Sequence, residues 1–146
     1  MKILKISIAC DHAGYKLKEK LVKYLLSEQY EINDLGTYSE ESVDYPDFGH
    51  ILAVSVERKQ CDLGISICGS GNGINMVVNK HPGIRSAICW NEEISRLARA
   101  HNDANVCALP GRFINYETAV VIVKVFLTTG FDSGRHERRI NKIPLI

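Results

Sequence analysis

Cys68 closes the apolar run Ile65-Ser66-Ile67, and glycine follows it at positions 69, 71 and 73. A turn built this way lets several backbone N–H groups point at one spot, because no Cβ blocks an approaching anion. A thiol beside such donors suits a substrate that develops negative charge, with the sulfur attacking a carbonyl or taking a proton from carbon. The turn is GxGxG: Ile74 occupies the place where the dinucleotide fingerprint needs glycine, and no Lys-Ser or Lys-Thr follows as in a Walker loop. Read alone, it is either an anion-binding turn or a tight structural one. Cys68 likewise is either a small buried hydrophobe at a strand end or a thiol whose pKa the next helix lowers from the usual value of about 8.5.

Other chemistry-bearing residues carry the same two-sided reading. Asp11 either caps the helix that begins near Gly14 or binds hydroxyls, with His12 facing an anion. His101 is either a solvated cation at a helix C-terminus or a general acid titrating near neutrality. Arg135, His136, Arg138 and Arg139 form a short basic cluster, either a solvated face or a set of forks for phosphate. Tyr45, Pro46 and His50 read as structural.

The elements that must position these groups alternate. Strand-like runs at Ile3–Ala9, Glu31–Leu35, Asp62–Ile67, Ile84–Cys89 and Asn105–Leu109 are separated by helical patterns. Those patterns cover Tyr15–Ser27, Phe48–Arg58, Ile74–Asn79, the segment from Asn91 to His101, and Tyr116–Thr128, with Asn91 and Asn115 as caps. This predicts an α/β fold: a single Rossmann-like domain over residues 1–146, with a five-stranded parallel sheet, helices on both faces and right-handed crossovers. Ligands in such sheets bind beyond the carboxyl ends of the strands, where Asp11-His12, the glycine turn and Gly111-Arg112 fall. His101-Asn102-Asp103 falls at the opposite edge, so joining the others takes a bent loop or a second subunit. The C-terminal tail, 134–146, has little core and is expected to be helical and to pack on a neighbouring subunit.

Composition narrows the class. The 146 residues are 45% hydrophobic and 24% charged with a formal net charge of +1, as in a soluble globular protein without a field that recruits nucleic acid or membrane. Five cysteines without a CxxC pair exclude zinc-type spacing and fit a reduced, cytoplasmic protein.

In order along nearly the whole chain, CDHAG at 10–14, DLGTYSEESVDYPDF at 34–48, DLGISICGSGNGINMVVNKHPGIRSA at 62–87, RAHNDANV at 99–106, GR at 111–112 and GRHERR at 134–139 resemble the ribose-5-phosphate isomerase B family. The wider group includes galactose-6-phosphate isomerase subunits. The resemblance implies a cofactor-free, metal-free aldose–ketose isomerase of the pentose phosphate pathway, interconverting ribose 5-phosphate and ribulose 5-phosphate through ring opening and a cis-enediolate. It implies Cys68 as the base and His101 as the ring-opening acid, with Ser70 assisting. Gly69, Ser70, Gly71, Asn72 and Gly73 would hold the enediolate oxygens. Asp11 and Asn102 would bind sugar hydroxyls, Tyr45 would line the site, and His12, Arg112, Arg135 and Arg139 would hold phosphate. It further implies a homodimer or tetramer whose sites are shared between subunits.

The chain departs from the family pattern at Asn72, often apolar, and at Ser70, commonly threonine. Ile74-Asn75-Met76 lacks the glutamate that some members use in place of the cysteine. The His-Asn-Asp at 101–103 favours the pentose enzyme over galactose-6-phosphate isomerase subunits. The alternatives are an isomerase of allose or galactose 6-phosphate, or a subunit of one, and, in another class, a non-catalytic nucleotide- or sugar-phosphate-binding module.

Overall fold

A computed structural model describes residues 2–145. Strand β1 (Lys5–Cys10) leads through a 3-10 turn (His12–Gly14) into α1 (Tyr15–Ser27), β2 (Glu31–Asp34) and α2 (Tyr45–Glu57). Then come β3 (Leu63–Cys68), α3 (Asn72–Val78), β4 (Ser86–Ile88), α4 (Glu92–Ala100), β5 (Val106–Pro110), α5 (Tyr116–Thr128) and α6 (Arg135–Ile140). The strands form one parallel sheet in the order β2-β1-β3-β5-β4. The layer is Rossmann-like, as the alternation predicts, and α6 makes the tail helical.

Side-chain alternation along the strands assigns the helices to faces. Ile6 and Ile8 of β1, Ile65 and Ile67 of β3, and Cys107 and Leu109 of β5 share a core with Leu21 and Leu25 of α1 and Ile122, Val123 and Phe126 of α5. Ala9 and Val106 face the other way, onto Leu52, Ala53 and Val56 of α2 and Val78 of α3. The chain therefore leaves β1 toward the first face and β3 toward the second. Their carboxyl ends diverge and open a crevice between them, the usual ligand position in such sheets.

Several boundaries differ from the sequence expectations. Helix α2 begins at Tyr45, three residues before Phe48, because Pro46 sits in the first turn, where its missing N–H has no intrahelical partner to lose. Strand β4 is three residues long rather than six. Its approach is diverted when the Arg85 N–H donates to the Asn105 side chain at 2.9 Å. Helix α3 starts at Asn72 rather than Ile74, entered through Gly71 at φ +79°. Among the described residues, no helix is long and apolar enough to cross a membrane.

Candidate functional site

Everything at the carboxyl edge is built around the end of β3. The Cys68 carbonyl accepts the Gly111 N–H at 2.9 Å and the Gly69 carbonyl accepts the Arg112 N–H at 2.9 Å, so the β3 and β5 turns are laced together. A Cβ on Gly69 would stand 3.4 Å from Arg112 Cδ and 3.7 Å from Ala13 Cβ. The arginine stem, the glycine turn and the first turn after β1 thus meet at one point. Among the described residues, no hydrogen bond ties up the N–H groups of Gly69, Ser70 or Gly71. The Asn72 N–H donates to Ser70 Oγ at 3.1 Å, which closes the turn on itself.

Cys68 is 5% exposed and free, on the sheet face that α2 and α3 cover. The Tyr45 ring, from the first turn of α2, lies over Gly73: a Cβ there would come within 2.6 Å of Tyr45 ring atoms. No side chain but hydrogen fits beneath that ring. Asp11 is buried and acts as a cap, its Oδ1 accepting the Ala13 and Gly14 N–H groups at 3.0 and 3.2 Å. Its other oxygen is uncommitted by any of these bonds, so capping and ligand binding are compatible. His12 Nδ1 accepts the Val43 N–H at 3.2 Å. A backbone N–H can only donate, so the neutral ring carries its hydrogen on Nε2, a donor suited to an anion.

The remaining candidates gather elsewhere. His101 and Asn102, at the end of α4, line a cavity of about 430 Å³ with His136 and Arg139 of α6. The His101 and His136 rings stack, with centroids 4.1 Å apart and planes at 10°. Partial burial, then His101, Arg135 and Arg139, hold the His136 pKa below its usual value, which favours a neutral ring beside the arginines. Arg135 opens α6 and is exposed. The Asp132 N–H donates to the Ala100 carbonyl at 2.9 Å, and Ile140 is buried, so this chain's own framework seats the tail helix.

The candidates fall into two groups. Asp11, His12, Tyr45, Cys68 through Gly73, and Arg112 lie at the carboxyl edge of the sheet. His101, Asn102, Arg135 and Arg139 lie at the amino edge. The five residues of β5 separate them by about 17 Å. Reading the sequence missed the Val43 N–H, whose role carries no side-chain signature. It left His136 in the basic cluster without a role, although 135, 136 and 139 share one helix face.

Comparisons with known proteins converge on one family. A family model described as Ribose/Galactose Isomerase matches residues 6–143. Ribose-5-phosphate isomerase B of Escherichia coli is 39% identical over 142 residues, covering 97% of this chain and 95% of that protein. The crystal structure of a ribose 5-phosphate isomerase from Thermotoga maritima superposes with a TM-score of 0.96 at 51% identity, covering 98% of this chain and 99% of that one. The Mycoplasma genitalium ribose-5-phosphate isomerase B, with ribulose-5-phosphate bound, gives a TM-score of 0.91 at 42% identity, over 95% and 93% of the two chains.

Proposed function

This chain belongs to the ribose/galactose isomerase family, and from that premise we propose that it interconverts ribose 5-phosphate and ribulose 5-phosphate with its own side chains as the catalytic groups. The observation that carries the assignment of roles is the meeting of a thiol, free N–H donors and an arginine at the end of β3. A hydrogen α to a carbonyl is too weakly acidic to leave at neutral pH unless the oxyanion it creates is stabilised. Preorganised N–H donors provide that, each worth roughly 3–4 kcal/mol by analogy with other oxyanion holes.

The steps follow from this placement. His101, assisted by Ser70, gives a proton to the ring oxygen while the O1 hydroxyl loses its own, which opens the furanose to the aldehyde. Cys68 Sγ, as thiolate, takes the C2 proton. The electron pair moves into a C1–C2 double bond and the carbonyl oxygen becomes the enediolate oxygen, held by the free N–H groups of Gly69, Ser70 and Gly71 in the turn that closes at Asn72 and Gly73. Cys68 returns the proton to C1, and the proton of the O2 hydroxyl passes to O1, leaving the ketose. Asp11 and Asn102 bind sugar hydroxyls, Tyr45 closes the site above Gly73, and His12, Arg112, Arg135 and Arg139 hold the phosphate. Phosphate binding remote from the reacting carbons orients a small, flexible substrate.

Because the two groups stand at opposite edges of one sheet, the complete site is formed between two copies of the chain, with α6 delivering its arginines to the partner's crevice. The test is isomerisation by the purified chain, without added metal, of ribose 5-phosphate, allose 6-phosphate and galactose 6-phosphate, beside a Cys68→Ala control. Cysteine-dependent turnover of the pentose is the expected result. Preference for a hexose phosphate would move the substrate, and no turnover of any of them would overturn the reading in favour of a subunit awaiting a different partner or a binding module.

A further inference from the structure

Lys18 of α1 is a cation with no solvent exposure at all, and none of the roles above uses it. Its Nζ donates to both Asp34 oxygens, at 2.7 and 2.8 Å, and to Glu19 Oε1 at 3.0 Å. The rings of Tyr15 and Tyr38 stand 5.6 and 5.5 Å from it. Buried ion pairs add little stability over apolar side chains of the same volume, so what this one fixes in space matters more than its energy.

What it fixes is the segment leaving β2. Asp34 Oδ1 also accepts the Gly36 N–H at 3.0 Å, and the Tyr38 hydroxyl donates to the Asp34 carbonyl at 2.9 Å. The Gly36 carbonyl accepts the Cys10 N–H at 2.7 Å, and the Thr37 N–H donates to the Cys10 carbonyl at 2.9 Å. The segment therefore runs alongside the end of β1, and Glu40 meets Lys16 of α1 at 3.2 Å. Its far end presents the Val43 N–H to His12 Nδ1.

We propose that Lys18 and Asp34 are positioning residues for phosphate binding: their ion pair, buried at the lysine end and half-buried at the aspartate, holds residues 35–44 across the start of α1, so that Val43 keeps His12 in the Nε2–H tautomer. The inference rests on the assignment of His12 to the phosphate. Without the Val43 N–H, the ring exchanges between tautomers and orientations, and only a fraction of molecules present a donor. Apparent affinity for the phosphate group falls by that fraction, while the proton transfer at Cys68 is untouched.

The measurement uses the full chain labelled with 15N-histidine, together with kinetics on ribose 5-phosphate. In the unmodified protein the His12 signals should report a hydrogen on Nε2 and none on Nδ1. The double variant Lys18→Met/Asp34→Leu removes both charges and strands neither. It should average the two His12 nitrogens and raise KM at least about twofold, more in proportion as ring orientation is lost, with kcat kept within about twofold. Made in a His12→Ala background, the same two substitutions should raise KM no further, because both act through one ring. Tyr38→Phe, at a side chain 67% exposed, cuts one tether of the same segment without disturbing the core. It should move the signals and KM in the same direction by less, and it carries the test if the double variant does not fold. A His12 signature unchanged in a folded variant, or KM effects that multiply, would overturn the proposal. The nitrogen signature, read with inorganic phosphate as the ligand, needs no turnover; an inactive parent protein would sink the isomerase reading and leave this one to be decided by the ring.

Discussion

Cys10 and Cys68 end neighbouring strands, yet only one is placed for chemistry. Cys10 faces the α1 and α5 core, and burial, partly offset by Lys18, pushes its thiol up to about 12. It remains protonated and serves as a small hydrophobe. Cys68 faces the other way and adjoins N–H groups that have no other acceptor among the described residues. The sequence offered both meanings for Cys68 and no chemical role for Cys10. What separates them is strand alternation and the turn that follows, and only the second was visible as a motif. Asp11 turned out to be the cap it resembles without ceasing to be available, since capping occupies one oxygen. Cys68→Ser should lower kcat about a thousandfold, within the roughly 10²–10⁴-fold that a positioned acid–base group contributes. Inorganic phosphate should still bind with affinity within about twofold, because the residues proposed to hold the anion are others. A kcat near that of the parent, measured in the same preparation, would place the base elsewhere.

Among the elements, two glycines separate scaffold from site. A Cβ on Gly14 would sit 2.8 Å from Ile67 Cβ and 2.9 Å from the Ile67 carbonyl oxygen, both fixed within the central strand. Helix α1 would have to back away from β3. Gly14→Ala should therefore cost about 1–3 kcal/mol, the usual range for overpacking, and lower Tm by roughly 2–4 °C for each of those. A Cβ on Gly73 would instead meet the far end of the Tyr45 ring, which is 39% exposed and can swing outward. Gly73→Ala should leave Tm nearly unchanged while raising KM, because the ring leaves the crevice. Thermal melts and steady-state kinetics on the two variants check the contrast, and a large loss of Tm at Gly73 would make that contact structural. The alternation of strands and helices was legible because period-2 and period-3.6 patterns differ over whole segments. The short β4 was not: Ile84, two residues before it, packs in a core although its backbone does not join the ladder. A side-chain acceptor, Asn105, takes the hydrogen bond that a longer strand would need.

For the whole molecule, strand order is what the sequence withheld and what most shapes the site. Strand β5 inserts between β3 and β4, so Gly111-Arg112 arrives beside Cys68, whereas the end of α4 lies at the opposite edge by the alternation of strand and helix alone. One chain therefore holds two groups of candidate residues at opposite edges, and the proposed site joins one group to the other group of a second copy. In a dimer with two-fold symmetry, each site takes Cys68 from one copy and His101 from the other, and the two sites are equivalent. Mixing inactive variants tests this directly. Cys68→Ala and His101→Asn homodimers each carry a lesion in both sites. After subunit exchange, a mixed dimer places both lesions in one site and leaves the other with an intact Cys68 and an intact His101. Random exchange makes about half the dimers mixed, each with one good site of two, so about one quarter of the parent activity should return. Recovery should follow the rate of exchange and should be absent when two preparations of the same variant are mixed. If each site were instead built within one chain, every site in the mixture would still carry a lesion. Activity would then stay at the sum of the two variants however long they exchanged.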